Sequence, residues 1–279
     1  MKKLFRFVSR ILPDKAFLSL KYRLKFGEPM PWKNPVTFNQ KIQWLKLYDR
    51  KPEYSLMVDK YEAKKLVAGK IGEEYVIPTL GVWDSFDDID FSKLPEKFVL
   101  KCTHDCGSVV ICKDKEKFDI EAARKKLSKA MKRNYYYGER EWPYKNVPAR
   151  IICEEYIKDN NYEFLPVYKF FCFNGEAKIV QTIQNDKQPN ETIDYFDRDW
   201  QLLNMRQNYP NSDRPIPEPE NLKEMIAIAD SLSKGFSFIR VDLYVVNGKI
   251  YFSEYTFYSD AGFARFEPSA WDKKLGGWI

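Results

Sequence analysis

Alternating apolar and polar positions predict two tight β-hairpins. One runs through VYKFFCFNGEAKIVQTI (167–183) and turns at Asn174-Gly175; the other runs through FIRVDLYVVNGKIYFSEYTF (238–257) and turns at Asn247-Gly248. Asn-Gly between alternating runs suits a two-residue turn, because both central residues must take positive φ. KFVLKCTH (97–104) and SVVICKD (108–114) read as strands around the short polar loop Asp105-Cys106-Gly107, and RIICEEYI (150–157) as another. EYVIPTLGVW reads as an extended stretch ending in a turn. Helical spacing marks 37–47, where Phe38, Ile42 and Leu45 recur, and 59–68, with Asp59 as N-cap. Further helices are expected over 120–137, strongly basic, and over 222–234. Four prolines between Asn208 and Glu220 predict an irregular loop. Helices mixed with antiparallel hairpins give an α+β class.

Composition adds limits. With 279 residues, 44% of them hydrophobic, the chain can bury a substantial core. A net charge of +6 suits an anionic ligand such as a nucleotide or an acidic glycan and does not by itself single out nucleic acid. The five cysteines form an odd number with no signal peptide ahead of them, which reads as reduced thiols in a cytoplasmic protein. Cys102, Cys106 and Cys112 contain no CxxC pair, and His104 is the sole histidine, so zinc is disfavoured. No run reaches the roughly 18 apolar residues of a membrane span. In residues 1–12, Leu4, Phe7, Val8 and Ile11 form an apolar stripe beside Lys2, Lys3, Arg6 and Arg10. Two readings stand: packing on the core, or contact with an anionic membrane surface.

The second hairpin carries the chemistry. Arg240 and Asp242 share one strand face, as do Glu254 and Thr256 on the partner strand. A turn at Asn247-Gly248 brings Asp242 close to opposite Glu254, where like charges destabilise unless a cation intervenes. That cation is either a hard divalent metal such as Mg2+ or the Arg240 guanidinium in a structural ion pair. Lys101, followed by a loop with Gly107 and Ser108, offers a point charge and approachable backbone to a phosphate; a lysine snorkelling from a strand edge is the other reading.

These segments, VDKYEAKKLV, YVIPTLGVW, KFVLKCTHDCGSVVICKDK, RIICEEYI, YKFFCFNG, IRVDLY and YFSEYTFY, resemble in order the TupA-like ATP-grasp family, named for a teichuronopeptide-biosynthesis protein. The wider superfamily includes D-alanine–D-alanine ligase. The resemblance implies an ATP-grasp fold in which two α+β lobes clamp ATP, with a small N-terminal lobe. The divisions would be 1–36, a basic amphipathic segment; 37–95, an N-terminal lobe; 96–153, the central lobe; and 154–279, the C-terminal lobe with the Mg-binding hairpin.

By the same resemblance Asp242, Glu254 and Thr256 are the Mg2+ ligands, with Thr256 where many relatives carry asparagine. Arg240 and Lys101 are catalytic, Arg240 at the transferring phosphoryl group and Lys101 at the α- and β-phosphates. Lys60 is the first ATP-contacting lysine. The loop Thr103–Ser108 is the phosphate lid, with His104, Gly107 and Ser108 as contacts and Cys106 where a glycine is expected. Glu154 accepts from the adenine amino group, and the backbone of Glu155 and Ile157 pairs with the ring. Lys169 points to the same cleft. Val167 stands where a ribose-binding acid is expected, leaving Glu163 as a substitute. Tyr195, Trp200, Arg206 and Arg214 would cover the acceptor side.

The implied activity is ATP- and Mg2+-dependent ligation of a carboxylate to an amine through an acyl phosphate. Its substrates would be a small-molecule or glycan carboxylate and an amine such as an amino acid, with no nucleic-acid partner. The product would modify a capsular, O-antigen or teichuronic-type polysaccharide or its precursor, in the cytoplasm or at the inner face of the membrane. Competing readings are a polysaccharide glycosyltransferase, given the DxD-like triplets in DDID (87–90) and DRDW (197–200), an ATP-dependent sugar kinase, and a non-catalytic nucleotide-binding module.

Overall fold

The computed structural model describes residues 11–279. They divide into two compact units, Lys51–Lys158 and the remainder, which joins the chain up to Arg50 with Asp159–Ile279. The basic amphipathic segment expected at residues 1–12 lies, up to residue 10, outside the described residues; Ile11 is exposed. No helix among the described residues is long and apolar enough to cross a membrane.

The first unit opens with α1 (Asp14–Phe26) and α2 (Phe38–Tyr48). Thr37 and Gln40 close a capping box at the start of α2, one residue inside the expected boundary. In the second unit follow α3 (Glu53–Val58), α4 (Lys60–Ile71), β1 (Thr79–Trp83), β2 (Phe98–Cys102) and β3 (Val109–Cys112). After them come α5 (Ile120–Met131), α6 (Tyr136–Glu139) and β4 (Ile151–Glu155). Its sheet has the antiparallel order β1-β4-β2-β3. Ala123, Leu127 and Ala130 of α5 pack with Phe98, Leu100 and Cys102 of β2. Strand alternation therefore sends Lys101 to the sheet face opposite α5.

The basic helix expected over 120–137 ends instead at Met131. Asn134 interrupts it: its side chain accepts from Tyr136 N at 3.1 Å and donates to Lys145 O at 2.9 Å, so α6 starts as a separate turn.

The first unit resumes with β5 (Val167–Phe173), β6 (Glu176–Gln184), β7 (Thr192–Phe196), α7 (Leu222–Ser233), β8 (Phe238–Val246), β9 (Lys249–Thr256) and α8 (Ala270–Gly276). The sheet order is β7-β6-β5-β8-β9, antiparallel throughout. Both Asn-Gly turns are present, with φ of +49° and +77° at Asn247 and Gly248. The loop over 208–220 is irregular, as its prolines predict. Helix α7 lies on one face, where the Cys172 thiol meets the Ala229 carbonyl. The opposite face carries Lys169, Phe171, Arg240 and Asp242. At its near end Phe38 of α2 stacks edge-on against Phe173 and Phe238.

Candidate functional site

Asp242 pairs with Glu254 across β8 and β9, and Arg240 with Thr256. The register set by the Asn247-Gly248 turn runs as far as Leu243 opposite Phe252; a bulge at Ser253 then shifts it by one residue and brings Glu254, not Ser253, opposite Asp242. Lys169 on β5 is the neighbour of Asp242 on its other side. Five polar residues thus gather on one sheet face. Both oxygens of Asp242, which is 1% exposed, are gripped by Arg240, Nε to Oδ1 at 2.7 Å and Nη2 to Oδ2 at 2.8 Å. Nη2 also donates to Thr256 Oγ1 at 3.0 Å and Nη1 to Ser259 Oγ at 3.1 Å. Lys169 Nζ stands 3.7 Å from Asp242 Oδ2. Burial works against the Arg240 charge, but Asp242 outweighs it and holds the guanidinium above its ordinary pKa.

The like-charge repulsion read from the sequence is therefore relieved by the protein's own cations. What the residues offer a metal is correspondingly limited. Among the described residues no group of three or more His, Cys, Asp or Glu side chains forms a metal cage. Two carboxylates and a hydroxyl do fit Mg2+ that arrives with phosphate oxygens and keeps water in its octahedron, the usual mode for that ion.

The second unit builds a different cluster. Glu154, 3% exposed, receives Lys64 Nζ on Oε1 and Lys101 Nζ on Oε2, each at 2.5 Å. Burial raises the pKa of Glu154, yet the two lysines more than offset it and leave the acid ionised. For Lys64 burial wins, and its pKa falls. The Glu154 carboxylate, expected at the adenine amino group, is thus engaged by lysines. Its neighbour Glu155 donates its backbone N–H to Pro78 O at 3.1 Å.

The loop after β2 is held from several sides. Ser108 Oγ accepts from Cys102 N at 3.0 Å and donates to the Asp105 carboxylate, closing the turn around Gly107, whose φ is +94°. Lys60 donates its ammonium to the Asp105 carbonyl. His104 is 3% exposed, with Nε2 3.1 Å from the Arg133 carbonyl and Nδ1 buried without a partner.

Other expected residues have structural occupations. Tyr195 is fully buried and bonds Gln181 and Gln207; Trp200 stacks on Phe196 with ring centroids 4.3 Å apart. Arg206 pairs with Glu267, Nε to Oε2 at 3.0 Å, and the Arg214 carbonyl accepts from Gln184. The DxD-like acids are turn caps: Asp90 accepts from Ser92 N, and Asp197 from the backbone of Asp199 and Gln201. Asp87 pairs with Arg124.

Sequence reasoning missed Lys64 and Ser259. Lys64 sits four residues after Lys60 on α4, one helical turn on, and that spacing was its available signal. Ser259 opens a segment in which Asp260, Ala261 and Gly262 all have positive φ, at 48°, 52° and 65°. Non-glycine residues in this region are strained and persist when their surroundings fix them. Here Gln43 Nε2 donates to the Ala261 and Gly262 carbonyls at 3.0 and 2.8 Å, and Lys46 Nζ to Ala261 O at 2.7 Å. A Cβ on Gly262 would come within 2.5 Å of the Gln43 amide.

The sequence profile of the family described as TupA-like ATPgrasp matches residues 40–279. No curated protein matches the sequence. Among solved structures the chain is similar to the D-alanine–D-alanine ligase from Bacillus anthracis complexed with ATP, at 17% identity and a TM-score of 0.43 over 88% of this chain and 62% of that one. It is similar to D-cycloserine synthetase at 16% identity and TM-score 0.44, over 81% of this chain and 73% of that one. For the L-amino acid ligase from Bacillus licheniformis the values are 13% and 0.47, over 90% of this chain and 55% of that one. The chain thus spans less than two thirds of the length of the D-alanine–D-alanine ligase.

Proposed function

The chain belongs to the TupA-like ATP-grasp family, and on that premise we propose that it is an ATP- and Mg2+-dependent carboxylate–amine ligase. The observation that supports this reading is the cluster of buried Arg240 and Asp242 with half-buried Lys169, Thr256 and Glu254 on one sheet face. Ionisable groups gathered this tightly mark functional sites more often than packing needs.

In this reading a carboxylate oxygen of the first substrate attacks the γ-phosphorus of ATP. The bond to the β–γ bridging oxygen breaks, and ADP leaves. The amine nitrogen of the second substrate then attacks the acyl carbon, inorganic phosphate departs, and the nitrogen loses its proton to give an amide. Lys101, steered by Glu154, would balance the α- and β-phosphates, with Lys60, Gly107 and Ser108 holding the loop beside them. The carbonyl of Glu155 and the amide of Ile157 would read the adenine edge. Asp242, Glu254 and Thr256 would hold Mg2+, which when bound neutralises phosphate charge. Arg240 and Lys169, both now turned to Asp242, would shift part of their interaction to the transferring phosphoryl group and stabilise its charge as bonds change.

The acid or the amine would belong to a cell-surface polysaccharide or its precursor, as the resemblance to a teichuronopeptide-biosynthesis protein implies. Incubation with ATP, Mg2+ and panels of uronic acids and amino acids tests the reaction class. ADP and phosphate released only when an acid and an amine are both present is the expected result. AMP with pyrophosphate, or UDP released from a UDP-sugar, overturns it.

A further inference from the structure

Helix α5 with the two residues that follow it carries six cations, Arg124, Lys125, Lys126, Lys129, Lys132 and Arg133, against one acid, Glu121. This stretch of fourteen residues therefore has a net charge of +5 in a chain whose total is +6. Arg124 is paired with Glu121 and Asp87, but the other five form no ion pair among the described residues. Lys125, Lys129 and Arg133 follow one another at intervals of four, so like charges adjoin along the helix ridge, an arrangement that costs stability. Helix polarity explains only part of it. Lys129 and Arg133 complement the negative C-terminal end and Lys126 donates to the Val109 carbonyl at 2.6 Å, whereas Lys125 sits mid-helix, where the effect of polarity has faded.

These cations are not spread over a flat surface. Lys125, Lys126, Lys129 and Arg133 line a groove of about 430 Å³ whose other wall is the loop Asp105–Ser108. The one acid there, Asp105, has its carboxylate bonded to the Ser108 hydroxyl. Gly107 offers bare backbone: nothing lies within 4 Å of where a Cβ would stand. The groove shares the Asp105–Ser108 loop with the proposed nucleotide site but lies on the other side of the sheet from the Lys101–Glu154 cluster. Cys102 turns its thiol to the Leu127 carbonyl of α5, so its neighbour Lys101 faces the other side of the sheet.

We propose that this groove is a second anion site, which binds a diphosphate, or two adjacent phosphate groups, on the α5 face of the sheet. Three observations favour a diphosphate over a single small ion. The ridge from Lys125 to Arg133 extends about 12 Å, eight residues at the helical rise. The volume exceeds that of one phosphate. Arg133 supplies a planar fork suited to bidentate phosphate contact, and the lysines supply point charges. The bound group offsets the like-charge cost along the ridge. The same chemistry occurs in a soluble diphosphate and in a phosphorylated lipid headgroup.

Calorimetric titration of the full chain with inorganic pyrophosphate tests the site, using the double variant Lys125→Gln/Lys129→Gln and, separately, Lys101→Ala. The wild type should bind pyrophosphate, and the double variant should bind it at least about tenfold more weakly with an unchanged or higher melting temperature. Lys101→Ala should lose no more than the share of pyrophosphate held at the proposed nucleotide site and should keep the binding step that the double variant lacks. Should the double variant not fold, Arg133→Gln serves in its place. Sedimentation with phosphatidic-acid vesicles that is lost in the same variant assigns the phosphate to a lipid headgroup; pyrophosphate binding without sedimentation assigns it to a soluble ligand. The proposal is overturned if neither probe binds, if binding survives the groove substitutions, or if it vanishes in Lys101→Ala instead.

Discussion

The Arg240 guanidinium holds both oxygens of Asp242 in a buried, parallel pair of hydrogen bonds at 2.7 and 2.8 Å. Replacing Arg240 by Met should therefore strand a carboxylate that is 1% exposed. The expected loss is on the order of 3–5 kcal/mol in urea unfolding. Adding Asp242→Leu should recover most of it, because a buried pair replaced on both sides is close to neutral. A double variant as unstable as Arg240→Met would contradict this account of the pair.

Glu154 gives a pH prediction. Its pKa is held below the ordinary carboxylate range by Lys101 and Lys64, against burial. The folded state therefore binds this proton more weakly than the unfolded chain. The resulting stability is present above the usual carboxylate range and is lost as pH falls through it. Glu154→Gln should cost about 3–5 kcal/mol at neutral pH by leaving Lys64 and Lys101 without their counter-charge. The gap to the wild type should narrow on acidification. A constant gap from pH 7 to pH 3 would show that the pair contributes no such linkage.

Asp194 has the opposite sign. Its carboxyl is fully buried, Oδ2 has no partner, and burial raises its pKa. Stability from this group is present in acid and lost as pH rises through the raised value. Across the strands stands Thr182, whose hydroxyl is also buried and unpartnered. Asp194→Asn keeps the acceptor for Ser212 N and adds a donor facing Thr182. Stability at pH 7 should rise by roughly 1 kcal/mol, and a lower melting temperature would refute the assignment.

Thiol chemistry reports on the loop. Burial pushes Cys102 up to about 11 and Cys153 and Cys172 to about 12. Cys112 is buried as well, whereas Cys106 is exposed. At pH 8 a thiol reagent should label one cysteine quickly in the native protein and five in denaturant. Mg-ATP should slow the native reaction if the Thr103–Ser108 loop contacts phosphate. An unchanged rate at saturating nucleotide would remove the loop from the site.

The sequence was most legible where turn chemistry and strand period agree. Both Asn-Gly turns were read from the sequence, and alternation put Arg240 and Asp242 on one face. The turn alone, however, pairs Asp242 with Ser253, and the bulge at Ser253, which no sequence signal showed, is what brings Glu254 opposite. The strand β7 was not legible, because TIDYF is short and its central Asp194 breaks the apolar pattern even though it is buried. Helix α1 escaped notice inside a segment read only for its basic N-terminus. The engagement of Glu154 by Lys64 and Lys101 joins residues 90 and 53 positions apart, and no local period encodes it. The Arg240 ion pair with Asp242 was one of the two readings that the sequence left open; Lys169 as a second cation beside Asp242 was not legible.

The most direct measurement is the affinity for ATP with and without Mg2+, in the wild type and in Glu254→Gln. If Asp242 and Glu254 hold the metal that travels with the nucleotide, Mg2+ should tighten ATP binding by the wild type by about tenfold or more. Glu254→Gln should keep the Mg2+-free affinity and lose that gain while remaining folded. Equal gains in both proteins, or none in the wild type, would contradict a metal role for the hairpin and leave Arg240 and Asp242 as a structural pair.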